Sequence, residues 1–233
     1  DPKIASYLTK LGDRLVDAAP PDLNLKIYQY SFTPVNVKEI NAFALPGGPM
    51  FVHRGMFDAA SEEAEVAGVM AHELSHVLLR HGTAQATKAT KYEIGALAGQ
   101  VLGAIVGGTA GGIIAQGSNF GISTYFMKFS REYESQADIL GVQLMARAGY
   151  NPQSMANMFR TLAQQSGGGP EWLSDHPNPG NREQRMLQEA KLLNATGNPY
   201  GNTPEFQRAQ ARLKGMSPAP TAKEIQQQTQ RRQ

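Results

Sequence analysis

His72-Glu73-Leu74-Ser75-His76 lies inside a run of apolar residues that constrains the conformation of the whole segment. Val66, Val69, Met70, Leu74, Val77 and Leu78 recur at helical spacing and supply apolar faces on several sides, so the segment reads as a helix buried in a core. Its predicted span is about Ser61 to His81, with Ser61 as N-cap, Glu62 and Glu63 at the positive end of the dipole, and Gly82 in the left-handed position that follows the last turn. Residues four apart share one helical face. His72 and His76 can therefore each aim a ring nitrogen at one metal ion, at about 2.0–2.1 Å, without bending the backbone. Glu73, rotated by about 100° from His72, can reach past the metal to a water held on it.

The rest of the composition narrows what could complete such a site. The chain has 233 residues, enough for one sizeable core, and reads as one domain with extensions. A net charge of +2, with no basic stripe interleaved with aromatics, argues against a nucleic-acid partner. Cysteine is absent, so a metal would have to be held by His, Asp or Glu. The chain opens at Asp1 without an initiator Met, which suits a trimmed or mature form.

Asp1-Pro2 reads as the N-cap and first position of an amphipathic helix that ends before Pro20-Pro21. Leu23, Leu25, Ile27 and Tyr30 suggest a strand, a second covers Ile40 to Leu45, and Pro46-Gly47-Gly48-Pro49 turns it into a third, Met50 to His53. Helices are expected from Ser130 to Ala148, from Asn151-Pro152 to about Gln165, from about Pro179 to Asn194, and from Thr203-Pro204 to Lys214. A peptide from 216 to 233, rich in Pro and Gln, has too few apolar residues to bury itself and is expected to be disordered.

A catalytic zinc takes three protein ligands and leaves one position open. The completion by a histidine six residues after His76 fails, because position 82 is Gly. His81 lies nine residues beyond His72 and five beyond His76, roughly 180° and 140° around a continuous helix, and is assigned a structural or capping role. A glutamate from a second helix remains. In Arg131-Glu132-Tyr133-Glu134-Ser135-Gln136-Ala137-Asp138, Glu134 and Asp138 share a face, so Glu134 could ligate while Asp138 accepts a hydrogen bond from a ligand histidine. Glu132 points elsewhere on that helix and is the weaker candidate; a solvated acidic face is the alternative for the whole segment.

Asn41-Ala42-Phe43-Ala44-Leu45-Pro46-Gly47-Gly48, the His72–His76 pentapeptide, the Ser130–Asp138 segment, and His176-Pro177 with Arg182 resemble, in order and spacing, the motifs of metallopeptidase family 48, a gluzincin family. The similarity covers about residues 1–194 and is greatest to the small periplasmic branch. It implies an α+β, mainly helical zincin fold with a small three-stranded sheet and a metal-binding helix pair. It also implies one zinc ion on His72, His76 and Glu134, Glu73 as catalytic base, and Asp138 behind a ligand histidine. His176, after a Gly-rich loop, matches the family's His-Pro motif and is expected either to donate to the oxyanion or to occupy the open zinc position and keep the enzyme latent. Arg182 is expected to position the His-Pro segment or to bind substrate carbonyls. The function implied is a zinc endopeptidase of extended or misfolded envelope proteins, outer-membrane proteins among them, in a periplasmic or outer-membrane-attached setting. Domain limits follow: a peptidase domain at 1–194, a helical extension at 195–215, and the tail.

Substrate is expected to add a strand along Asn41, Ala42, Phe43 and Ala44, where small side chains permit close approach and Pro46 ends the ladder. From Ile94 to Ala115 there are 22 uncharged residues with Gly95, Gly99, Gly103, Gly107 and Gly111 at four-residue intervals, the pattern of closely packed membrane helices. A single span there would put His76 and Glu134 on opposite sides of a membrane, and two spans need about 40 residues where Ile94 to Met127 offers 34. Residues 94–127 are therefore expected to form a lid, with peripheral membrane contact or oligomer formation as the rival.

Overall fold

The computed structural model describes residues 1–89, 129–164, 172–173, 176, 181–194 and 200–230. The glycine-rich stretch lies outside them. The first helix, α1 (Pro2–Asp17), starts where expected, with the Asp1 carboxylate accepting from the Lys3 and Ile4 amides. Residues 23–30 form turns rather than a strand, and Ile27 is 80% exposed, so the alternation there does not mark a buried face. The first strand is instead β1 (Ser31–Val35), followed by β2 (Ala42–Ala44) and β3 (Pro49–His53). β3 is central, parallel to β1 and antiparallel to β2. Both outer strands are edges, which lets β1 carry Pro34, a residue with no amide proton to give.

A short helix, α2 (Arg54–Ala59), leads to α3 (Glu63–Leu78), in which every residue is buried. Glu62 is the N-cap of α3 and makes no side-chain cap; Ser61, the predicted cap, gives its amide and hydroxyl to the Glu65 carboxylate at 2.6 and 2.9 Å. The helix does not run on to His81. Arg80 takes the left-handed conformation (φ 58°), and α4 (His81–Ala89) begins directly after it, so Gly82 is helical rather than a stop.

Against α3 pack α5 (Arg131–Arg147), capped by Ser130, and α6 (Gln153–Gln164), and α7 (Arg182–Leu192) packs in turn on α5 and α6. Two glycines allow close approach between these helices. A Cβ at Gly68 would lie 2.8 Å from Met155 Cα, and one at Gly141 would lie 3.3 Å from the His72 amide nitrogen and 3.1 Å from Met155 Cε. Through these contacts α5 and α6 meet α3 at the level of its histidines. Fully buried Met70 and Leu74 on α3 each contribute roughly 1.5–3 kcal/mol of apolar burial. The other end of α3 is fastened by buried Glu63, whose carboxylate accepts from Tyr7 (2.9 Å), Tyr150 (2.8 Å) and the Thr203 hydroxyl, beside Arg14.

Thr203 also caps α8 (Pro204–Lys214). Residues 216–230, expected to be disordered, continue into α9 (Ala222–Gln230). The buried Arg54 guanidinium donates to the Leu213 and Ser217 carbonyls at 2.6 and 2.7 Å, and Ile225 packs on Val35, Val37 and Phe51. One apolar residue and a few backbone bonds suffice to dock a segment whose composition alone offers little to bury.

Candidate metal centre

Helix α3 presents His72 and His76 one turn apart, and α5, brought close at Gly141, presents Glu134 opposite them. All three are buried. His72 Nε2 lies 3.0 Å from His76 Nε2 and 3.4 Å from Glu134 Oε2, and His76 Nε2 lies 3.5 Å from Glu134 Oε1. His176 joins them through Nδ1, 3.2 Å from His72 Nε2 and 3.1 Å from Glu134 Oε1. A tetrahedron with arms of 2.0–2.1 Å has edges of about 3.3–3.4 Å, so these spacings are those of four donors around one small ion. The ligand atoms of all four residues lie within 4.8 Å of one another. Three imidazoles and a carboxylate that turn acceptor atoms toward one buried point repel unless a cation or protons stand between them. The donor set therefore fits a metal. Glu132, the weaker candidate, is not among these four donors.

The surrounding groups hold this set in place. Asp138 Oδ1 lies 3.0 Å from His72 Nδ1, as its position one turn after Glu134 predicts. Arg182, at the start of α7, donates from Nε and Nη2 to Asp138 at 2.8 Å each, from Nη2 to Glu134 at 2.9 Å, and from Nη1 to the His176 carbonyl at 3.3 Å. It is 4% exposed. These four bonds all go to the site's own residues.

Burial disfavours charge on His72, but the adjacent Asp138 and Glu134 carboxylates outweigh it and push His72 up to about 9. Burial and the neighbouring His72 push His76 well below the ordinary imidazole range. Burial would raise Glu134, yet His176 and His72 hold it far below the usual carboxylate range.

Glu73 is buried beside the cluster, and its Oε1 accepts from Trp172 Nε1 at 2.8 Å and lies 3.3 Å from His176 Nε2. Trp172 had no sequence signal as a site residue. It stacks on His176 (4.6 Å, 19°) and meets His72 edge-on, a place set by tertiary packing. His81 is outside the donor set but touches it, with Nδ1 2.9 Å from His76 Nδ1. The continuous-helix angle that set His81 aside does not apply, because Arg80 breaks the helix. Asn41 precedes the edge strand β2, which packs against α3; Asn41 and Ala42 are buried, and Phe43 and Ala44 half-buried.

A His-Glu-x-x-His helix whose donors converge with a glutamate from a second helix defines a metallopeptidase of the gluzincin type. The chain matches the family model "Peptidase family M48" over residues 2–190, and it belongs to that family. It is 33% identical over 223 residues to the beta-barrel assembly-enhancing protease of Escherichia coli (strain K12), an alignment covering 93% of this chain and 44% of that protein. Metalloprotease YcaL of the same organism is 31% identical, with 79% of this chain and 72% of YcaL covered. Metalloprotease LoiP is 30% identical, with 78% and 69% covered. The chain thus spans less than half the length of the beta-barrel assembly-enhancing proteases it matches. Among the described residues, no helix is long and apolar enough to cross a membrane.

Proposed function

We propose that the protein is a zinc-dependent endopeptidase in which His72, His76 and Glu134 hold the ion and Glu73 is the general base. The convergence of those three donors beside a buried, unligated Glu73 carries this reading. Bound zinc would supply Lewis acidity, lowering the pKa of a water toward ~7 and polarising the scissile carbonyl. Glu73 takes the proton from the attacking water and returns it to the leaving amine. Asp138 holds the His72 ring, and Arg182 holds Asp138, Glu134 and the His176 carbonyl in register.

Substrate lies extended along β2. The amide of His53 donates to the Asn41 carbonyl at 2.9 Å and the amide of Leu45 to the Pro49 carbonyl at 2.7 Å, so in this antiparallel ladder Asn41, Phe43 and Leu45 bond inward to β3. The backbone groups of Ala42 and Ala44 then turn outward, toward an added strand. Asn41 Oδ1 is buried without a hydrogen-bond partner among the described residues, an acceptor suited to a substrate amide. The names of the relatives and the family resemblance support substrates among envelope proteins, those of the outer membrane included.

A second reading is favoured by the position of His176. Its Nδ1 sits where a fourth donor would and its Nε2 faces Glu73, which supports a latent form in which His176 would have to move before it could serve the oxyanion. The chain's single tryptophan stacks on that ring, so its emission reports the displacement. The deciding experiment is Glu73→Gln: the variant should retain zinc while cleavage of an unfolded protein falls about 10²–10⁴-fold. Full activity in that variant would rule out Glu73 as base.

A further inference from the structure

His76 offers Nε2 to the donor cluster and turns Nδ1 away, to within 2.9 Å of His81 Nδ1. Two ring nitrogens in hydrogen-bond contact share one proton, so one donates and the other accepts. The assignment is made further out. His81 Nε2 lies 2.9 Å from Gln136 Oε1, and an amide oxygen only accepts, so the His81 proton is on Nε2. The amide cannot turn round without loss, because Gln136 Nε2 faces the Glu132 carboxylate at 3.5 Å. Neutral His81 then has a bare Nδ1, His76 must donate to it, and the His76 Nε2 lone pair is left for the metal.

We propose that Gln136 and His81 form a relay that fixes the tautomer of His76 and thereby strengthens zinc binding. The proposal rests on the reading of His72, His76 and Glu134 as zinc ligands. Both rings are also clamped by stacking: Phe129 covers His76 (4.0 Å, 18°) and Tyr133 covers His81 (4.3 Å, 8°). A neutral relay suits this side of the cluster. Glu73, Glu134 and Asp138 are already buried at the cluster, and the Gln136 amide orients His81 without adding a further charge. The two ligand histidines are thus oriented differently, His72 by a carboxylate and His76 through an imidazole and an amide.

Zinc affinity of the whole chain, measured by competition with a chromogenic chelator, tests the relay. Loss of an outer partner of a ligand typically weakens binding about 10–100-fold, so Gln136→Leu and His81→Phe should each show at least a tenfold loss, roughly. Gln136→Glu keeps an acceptor oxygen at the same place and should stay close to the parent. Parent-like affinity in both Gln136→Leu and His81→Phe overturns the relay alone. A parent that takes up no zinc overturns the metal-centre reading and the relay with it. Should the variants not fold, ¹⁵N shifts of the metal-free parent decide: protons on His81 Nε2 and His76 Nδ1 support the relay, and the opposite pair refutes it.

Discussion

Replacing Arg182 by Met tests how the site is held together before any substrate arrives. The side chain that is lost is 4% exposed and gives three hydrogen bonds to Asp138 and Glu134 and one to the His176 carbonyl. Methionine fills part of the space over Phe159, whose ring centroid is 4.5 Å from the guanidinium carbon, so the main loss is charge. Removing one partner of a buried ion pair costs about 3–5 kcal/mol, because the remaining carboxylate stays desolvated. The bonds do not add up separately: one cation serves both carboxylates, and His72 can supply a second positive charge. For a chain of this length 1 kcal/mol moves Tm by about 2–4 °C, so the metal-free variant should melt roughly 6–20 °C below the parent. Saturating zinc should recover part of the loss, since it would place positive charge against the same Glu134. Arg182→Lys keeps charge without the planar fork and should fall between the two. The assay is thermal unfolding followed by circular dichroism, with and without a chelator. A metal-free Arg182→Met protein within about 2 °C of the parent would refute the argument, and a loss confined to catalysis would return Arg182 to substrate contact.

Two other consequences concern protons and packing. His72 in the metal-free protein is protonated up to about 9, above the ordinary imidazole value of about 6.5, and must lose that proton to ligate. Zinc uptake near pH 7.5 should therefore release a proton, with affinity rising to about pH 9; calorimetry in two buffers of different ionisation enthalpy measures it, and no release would contradict the assignment. By the same linkage, the stability that His72 contributes without metal is fully present below the ordinary histidine range and is lost as pH rises through about 9. Gly68→Ala would set a Cβ 2.8 Å from Met155 Cα, a backbone atom that cannot swing aside, and should cost about 1–3 kcal/mol in urea unfolding. An unchanged midpoint would mean that α3 and α6 do not approach as described.

What the sequence made legible is what depends on one element at a time. The 3.6-residue period places His72 and His76 on one face, and the same rule one helix later pairs Glu134 with Asp138; the separations of 3.4 Å from His72 Nε2 to Glu134 Oε2 and 3.0 Å from His72 Nδ1 to Asp138 Oδ1 depend in addition on how the two helices cross. Asp1, Ser130 and Thr203 cap the helices expected of them because a side-chain oxygen and a free amide need only local geometry. Leu23 to Tyr30 do not form a strand because alternation reports a buried face only where something covers it, and Ile27 is exposed. Trp172 could not be read at all: its indole meets Glu73, 99 residues away, through a crossing that no local pattern encodes.

Arg80 shows how far one local misreading carries. Gly82 has the residue type of a helix stop, and a continuous helix to His81 would turn that ring about 140° from His76. The chain instead spends a positive φ at Arg80, an uncommon conformation for a residue with a Cβ, and restarts as α4 with His81 folded back on His76 Nδ1. A strained position beside a metal centre is retained where the surrounding structure over-determines it, and here the Gln136 amide and the Tyr133 ring hold His81 from the far side. The break in the helix is therefore part of the site. Without it His76 would keep its place on α3 and lose the partner that decides which of its nitrogens faces the metal.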